Sequence, residues 1–212
     1  MSVNDDRITA ADERAASAEV AVSPIADPAP LGLAAFALTT FLLSAANAGW
    51  MTKASGDAWL GYAFAYGGFG QLLAGMWEFR NKNVFGSTAF GSYGAFWIGL
   101  GLWVRLVAPT IKDPAVANHD LAWILLSFAI FNTYMLLMST QTTAAVFLVF
   151  LTLEITEIVL FIGGFTNSSG LTKAGGYIGV VTALVAWYTS AAGVSNGMAG
   201  RLRLPVGRPL LG

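Results

Sequence analysis

The chain has 212 residues, of which 56% are hydrophobic and only 11% charged. A soluble domain carries roughly 25% charged residues, and so few charges cannot cover the apolar surface of a water-soluble chain of this size, which excludes most soluble enzyme folds. A net charge of −1, no cysteine and a single histidine, His119, speak against nucleic-acid binding, disulfides and iron–sulfur clusters, and against a haem or zinc site built on several nitrogen ligands.

Residues 1–26 scatter Asp5, Asp6, Arg7, Asp12, Glu13, Arg14 and Glu19 among Ala and Ser. With no apolar centre this is not a signal peptide, and it reads as a disordered cytoplasmic tail. The run 31–50 has no charge, and at ~1.5 Å per residue it is long enough to cross the ~30 Å hydrocarbon layer. Further runs follow at 58–77, 86–104, 121–138, 142–165 and 174–199; the fifth holds Glu154 and Glu157. Each exceeds the ~9–11 residues of a barrel strand and lacks strict alternation, so helices are expected. His119 falls before the fourth run and reads as a solvated loop residue. The expectation is an all-α membrane protein with six transmembrane helices over 27–200, followed by a basic cytoplasmic C-terminal tail, 201–212.

Six spans put both termini on one side. That side would carry Arg7, Arg14, Arg80, Lys82, Arg201, Arg203 and Arg208, against Lys53, Arg105, Lys112 and Lys173 on the other. The bias predicts that both termini are cytoplasmic. Small residues four apart (Ala63 and Gly67, Gly70 and Ala74, Gly91 and Ala95, Gly175 and Gly179) predict close helix packing in lipid.

The first span opens with Asp27-Pro28-Ala29-Pro30-Leu31-Gly32-Leu33. Asp27 suits an N-cap, and Pro28 suits the first helical position because its missing N–H costs nothing there. The segment reads as a rigid helix start, or alternatively as a positive helix end that attracts anions. DPAPLGL resembles the NPAPLGL signature of the succinate–acetate permease family, the YaaH-type acetate uptake transporters, with Asp27 where the family usually has Asn. The resemblance continues through Thr39–Leu43 and Asn47–Trp50, and is densest over Tyr66–Gln71, Ala74–Phe79 and Asn83–Trp97. It covers residues 27–205 and is strongest over 27–97.

The resemblance implies a homohexamer in the plasma membrane (the bacterial inner membrane). Each protomer would carry one path for acetate and related short carboxylates, succinate among them. It places a hydrophobic constriction at Phe36, Tyr93 and Leu153, the family's Glu at Glu78, and its helix-embedded Asn and Gln at Asn47 and Gln71. No cofactor motif is present in the sequence, and no cofactor is expected.

Such a path must strip water from a carboxylate without trapping it, which argues against an Arg clamp inside it. No Lys or Arg lies deep in any of the six runs; the available donors are neutral, namely Thr39, Thr40, Ser44, Asn47, Gln71, Ser87, Thr88, Ser92, Tyr93 and Asn132. Most of the Ser and Thr hydroxyls are expected to bond to their own backbone. An ionised carboxylate at mid-membrane costs at least ~2.5–3.5 kcal/mol. Glu154 and Glu157 are spaced i, i+3 and share a helical face, so they are candidates for proton coupling or for structural hydrogen bonds. Glu78, beside Arg80 and Lys82, is either an interfacial ion-pair partner or a third coupling candidate. Transport by an anion channel or proton symporter is the leading expectation. There is no GxSxG, HExxH or P-loop to support an enzyme, and the remaining alternative is a non-transporting membrane scaffold or signalling protein.

Overall fold

The structure is a computed structural model that describes residues 25–52 and 57–211. The expectations for residues 1–24 and Lys53 lie outside the described residues. All regular structure among those residues is helical: α1 (Ala29–Asn47), α2 (Trp59–Phe64), α3 (Gln71–Arg80), α4 (Val84–Leu102), α5 (Pro114–Ser139), α6 (Ala144–Phe165) and α7 (Ser169–Gly197). Five helices are long and apolar enough to cross a membrane: α1, α4 with its continuation to Thr110, α5, α6 and α7. The second apolar run of the sequence forms a composite helical stretch. A π-helical turn, Ala65–Gly70, joins α2 to α3 in one unbroken helical stretch.

Most helix starts are written locally. Asn83, Asp113, Thr143 and Ser168 accept side-chain hydrogen bonds from the first-turn amides of Gly86, Ala115, Val146 and Leu171, satisfying donors that a helix leaves open. At α1, Asp27 Oδ1 accepts from Ala29 N at 2.9 Å, and Pro30 O accepts from Ser190 Oγ at 2.7 Å. The DPAP start is thus closed by its own carboxylate and pinned to α7.

Two boundaries differ from the sequence expectation. α5 begins at Pro114, well before residue 121, because Asp113 caps it and Pro114 takes a first-turn position. His119 is therefore not in a loop. It sits in the second turn of α5, exposed, with its ring edge-on to Phe165 at 5.3 Å. Similarly, α7 begins at Ser169, so Lys173 belongs to its second turn. Both helices extend past the apolar run that signalled them, because a helix can continue beyond the hydrocarbon layer where charge is tolerated.

The helices form a ring. α1 packs on α7, α7 on α6, α6 on α5, and α3 with the π-helical turn on α4 and α1. Contacts are closest where glycine removes the side chain. A Cβ on Gly94 would stand 2.7 Å from Leu72 N, and one on Gly176 would collide with the backbone of Ala48. Gly91, by contrast, faces open space. Between α4 and α5 the backbones stay apart and aromatic rings fill the gap, with Phe96 and Phe128 centroids 4.5 Å apart and Tyr93 and Phe131 5.5 Å apart.

Both described chain ends lie at the same end of the ring. Residues 198–211 fold back across it: Val206 O accepts from Ala145 N at 2.9 Å, and Leu210 N donates to Thr140 O at 2.9 Å. Tyr188 Oη donates to Pro205 O at 2.6 Å.

Candidate functional site

Three cavities follow one another inside the ring. The first, about 370 Å³, opens at the end that holds the chain termini, between the start of α1, Asn83, the α5–α6 turn and Pro209. A second, about 40 Å³, lies at mid-depth, and a third, about 180 Å³, reaches Asn118 on α5 and Thr172 on α7 toward the opposite end. Phe36, Tyr93 and Leu153 line both the first and the second cavity. Leu43, Asn47, Leu125 and Leu160 line both the second and the third. The cavities are thus separated by two partitions, each made of shared side chains.

The first partition is tightly built. The Phe36 and Tyr93 rings meet edge-on at 5.9 Å, and both residues are buried with Leu153. The three side chains come from α1, α4 and α6, whose positions 36, 93 and 153 are near the middle of each helix.

Polar groups around the cavities follow a pattern. Among the described residues, five buried side-chain polar atoms lack a hydrogen-bond partner: Thr40 Oγ1, Gln71 Oε1, Glu78 Oε1, Trp97 Nε1 and Glu157 Oε2. All five belong to residues that line the first or second cavity. Leaving a buried donor or acceptor unpaired costs about 1–3 kcal/mol, so its confinement to one tract needs a reason. No Lys, Arg or His lines any of the three cavities, and no group of three or more His, Cys, Asp and Glu among the described residues could hold a metal ion.

Several expected polar residues fall elsewhere. Thr39 Oγ1 donates to Ala35 O at 3.0 Å and is wedged against Gly67 where α1 meets the π-helical turn. Ser92 lines none of the three cavities; it neighbours Tyr93 in sequence, but a helix turns adjacent residues by about 100°. Thr40, Asn47 and Gln71 do line them. Glu78 forms no salt bridge among the described residues: it is fully buried, and its Oε2 accepts from Asn81 Nδ2 at 3.2 Å.

The two carboxylates of α6 separate despite their shared face. Glu157 is buried and lines the middle cavity. Glu154 turns toward α5, where it accepts from Asn132 Nδ2 at 2.7 Å and from Thr133 Oγ1 at 2.8 Å. Sequence reasoning passed over Trp97 and Asn118. An indole N–H in an apolar run is itself a signal, since it must find an acceptor or face a cavity.

A ring of membrane-spanning helices around a line of cavities, charged only by buried acids, defines the class: a polytopic membrane protein with a path along its axis. The chain belongs to the GPR1/FUN34/yaaH family, whose model matches residues 11–208. It is 38% identical over 196 residues to acetate permease A of Emericella nidulans, covering 85% of this chain and 65% of that one. It is 33% identical over 184 residues to the succinate-acetate/proton symporter SatP of Escherichia coli, covering 86% and 96%. A solved structure of the bacterial acetate channel SatP superposes with a TM-score of 0.79 at 31% identity, covering 86% of this chain and 99% of that one. The chain spans less than two thirds of the length of its Saccharomyces, Emericella and Schizosaccharomyces relatives named accumulation of dyads protein 2, acetate permease A and meiotically up-regulated gene 86 protein.

Proposed function

We propose that the chain carries acetate and related short carboxylates, succinate among them, across the plasma membrane through the line of cavities. In a bacterium this is the inner membrane. The observation that carries this reading is the set of five unpartnered buried polar atoms gathered along one tract. A passing carboxylic acid or its water can satisfy such atoms transiently, and no fixed cation is present to hold it back. The names of the relatives support the substrate class.

Phe36, Tyr93 and Leu153 form the constriction, a short apolar stretch that passes a methyl group and resists bulk water and larger anions. Thr40, Gln71 and Asn47 offer hydrogen bonds along the way. Glu78 in the first cavity and Glu157 in the second are the proton-coupling candidates on the path itself, and Glu154 is linked to Glu157 through Asn132 and Tyr93. The protomers assemble as a homohexamer with one path each, and both termini face the cytoplasm.

Radiolabelled acetate flux into proteoliposomes of the purified protein, with and without an imposed pH gradient, tests the reading. Saturable flux that the gradient drives uphill identifies a proton symporter. Flux that only runs downhill identifies a channel. Folded protein that gives no flux above empty vesicles overturns the transport reading in favour of a scaffold or signalling role.

A further inference from the structure

Tyr93 belongs to the partition between the first two cavities, yet its hydroxyl is committed to a polar cluster behind it. The hydroxyl oxygen lies 2.9 Å from Asn132 Oδ1 and 3.4 Å from Glu157 Oε1. A phenol has one proton to donate, so it serves one of these acceptors at a time. The orientation of Asn132 is fixed from its other side. Its Nδ2 donates to Phe150 O at 3.0 Å and to Glu154 Oε2 at 2.7 Å, which uses both amide hydrogens and leaves Oδ1 toward Tyr93.

From this geometry we infer that Glu157 is the proton site that sets the constriction: its protonation state selects which acceptor Tyr93 serves, and Asn132, held by Glu154, is the alternative partner. The inference rests on the transport reading above. With a proton on Glu157, the carboxyl O–H donates to the Tyr93 oxygen, and Tyr93 donates to Asn132. When that proton leaves, the bare carboxylate draws the Tyr93 hydrogen away from Asn132, and the phenol pivots toward α6. Rotation of the carboxyl group turns its O–H away from Tyr93 to the position of Oε2, which has no partner among the described residues and belongs to a residue lining the middle cavity. From there the proton passes to a water or substrate carboxylate. Because the Tyr93 ring abuts Phe36, the pivot changes the opening between the cavities.

The groups facing Glu157 leave few competitors for this role. α4 presents Tyr93, α6 presents Glu154, and Tyr134 on α5 is within electrostatic reach of Tyr93. α1 brings the hydroxyls of Thr40 and Ser44 and the amide of Asn47 to this cavity, and α4 adds the Trp97 indole, none of which carries a charge. The Thr182 hydroxyl of α7 is already paired with Thr156 at 3.0 Å. No cation lines the cavity.

The test is acetate exchange in proteoliposomes of the full chain, at equal pH on both sides, across a series from mildly acidic to mildly alkaline. The wild type should change several-fold across the series. Glu157→Gln, which cannot release a proton, should flatten the profile, and Tyr93→Phe, which keeps the ring but loses the hydroxyl, should flatten it too. Infrared difference spectra over the same pH series keep the idea testable if Glu157→Gln is inactive: the wild type should show a protonated-carboxyl band whose frequency shifts in Tyr93→Phe. A wild type that transports without pH dependence overturns the inference, as does a Glu157→Gln protein with the wild-type profile or a carboxyl band unmoved by Tyr93→Phe. Absence of wild-type flux defeats the transport reading instead.

Discussion

Asn132 Oδ1 accepts the Tyr93 hydroxyl at 2.9 Å, joining the C-terminal half of α5 to the middle of α4 where the two backbones stand apart and otherwise touch through aromatic rings. The same amide donates to α6 at the Phe150 carbonyl and the Glu154 carboxylate. One fully buried side chain therefore ties three helices together.

Replacing Asn132 with Leu should be costly. It leaves the Tyr93 hydroxyl only its longer contact to Glu157 Oε1 at 3.4 Å and takes one of the two donors from Glu154, and each lost hydrogen bond of this kind costs about 0.5–1.5 kcal/mol. A lower midpoint in thermal unfolding of the detergent-solubilised protein is the expected result, with Asn132→Asp milder because it keeps an acceptor for Tyr93.

Widening the first partition should relax selection by size. Phe36→Leu and Leu153→Val remove side-chain volume where Phe36, Tyr93 and Leu153 separate the first two cavities. Succinate and longer monocarboxylates should then compete several-fold better for acetate uptake, as measured by inhibition of labelled acetate flux. The Leu153→Val change shortens a buried side chain and should itself cost about 0.5–1.5 kcal/mol, by analogy with other single-methylene deletions.

Gly176→Ala should separate α1 from α7. Its Cβ would collide with the backbone at Ala48, which cannot swing aside as a flexible side chain would. Overpacking of this kind costs about 1–3 kcal/mol. Gly170→Ala is the paired control: it is exposed in the first turn of α7, with nothing nearer its Cβ than Ser168 Oγ at 3.8 Å. Thermal unfolding should show a clear loss for the first variant and none for the second.

Asp113→Ala should fray the start of α5. The carboxylate accepts from Ala115 N at 2.9 Å, and losing such a cap typically costs about 0.5–2 kcal/mol. Hydrogen exchange by mass spectrometry should show faster exchange confined to the peptide that contains Ala115, Val116 and Ala117.

The spans themselves were legible in the chain, because lipid accepts only long apolar segments whose backbones are satisfied internally. Six long apolar runs, five of them uncharged, therefore translate directly into helical stretches. The boundaries of α5 and α7 were less legible: His119 and Lys173 read as lying outside the helices, although a helix end in water carries them without penalty. The π-helical turn Ala65–Gly70 left no periodic signature; α4 approaches it closely at Gly94, where a Cβ would stand 2.8 Å from Gly68 O.

The sequence by itself determined that this chain is a bundle of membrane helices with two acids within one of them. Spacing put Glu154 and Glu157 on a common face. Only the tertiary structure decided that Glu157 lines the cavity beside Tyr93 while Glu154 turns to Asn132 and Thr133. It likewise removed Thr39 and Ser92 from the cavity walls and brought Phe36, Tyr93 and Leu153 together from three helices. The physical reason is that helical periodicity fixes a residue's direction about its own axis, whereas what lies in that direction depends on how the neighbouring helices pack.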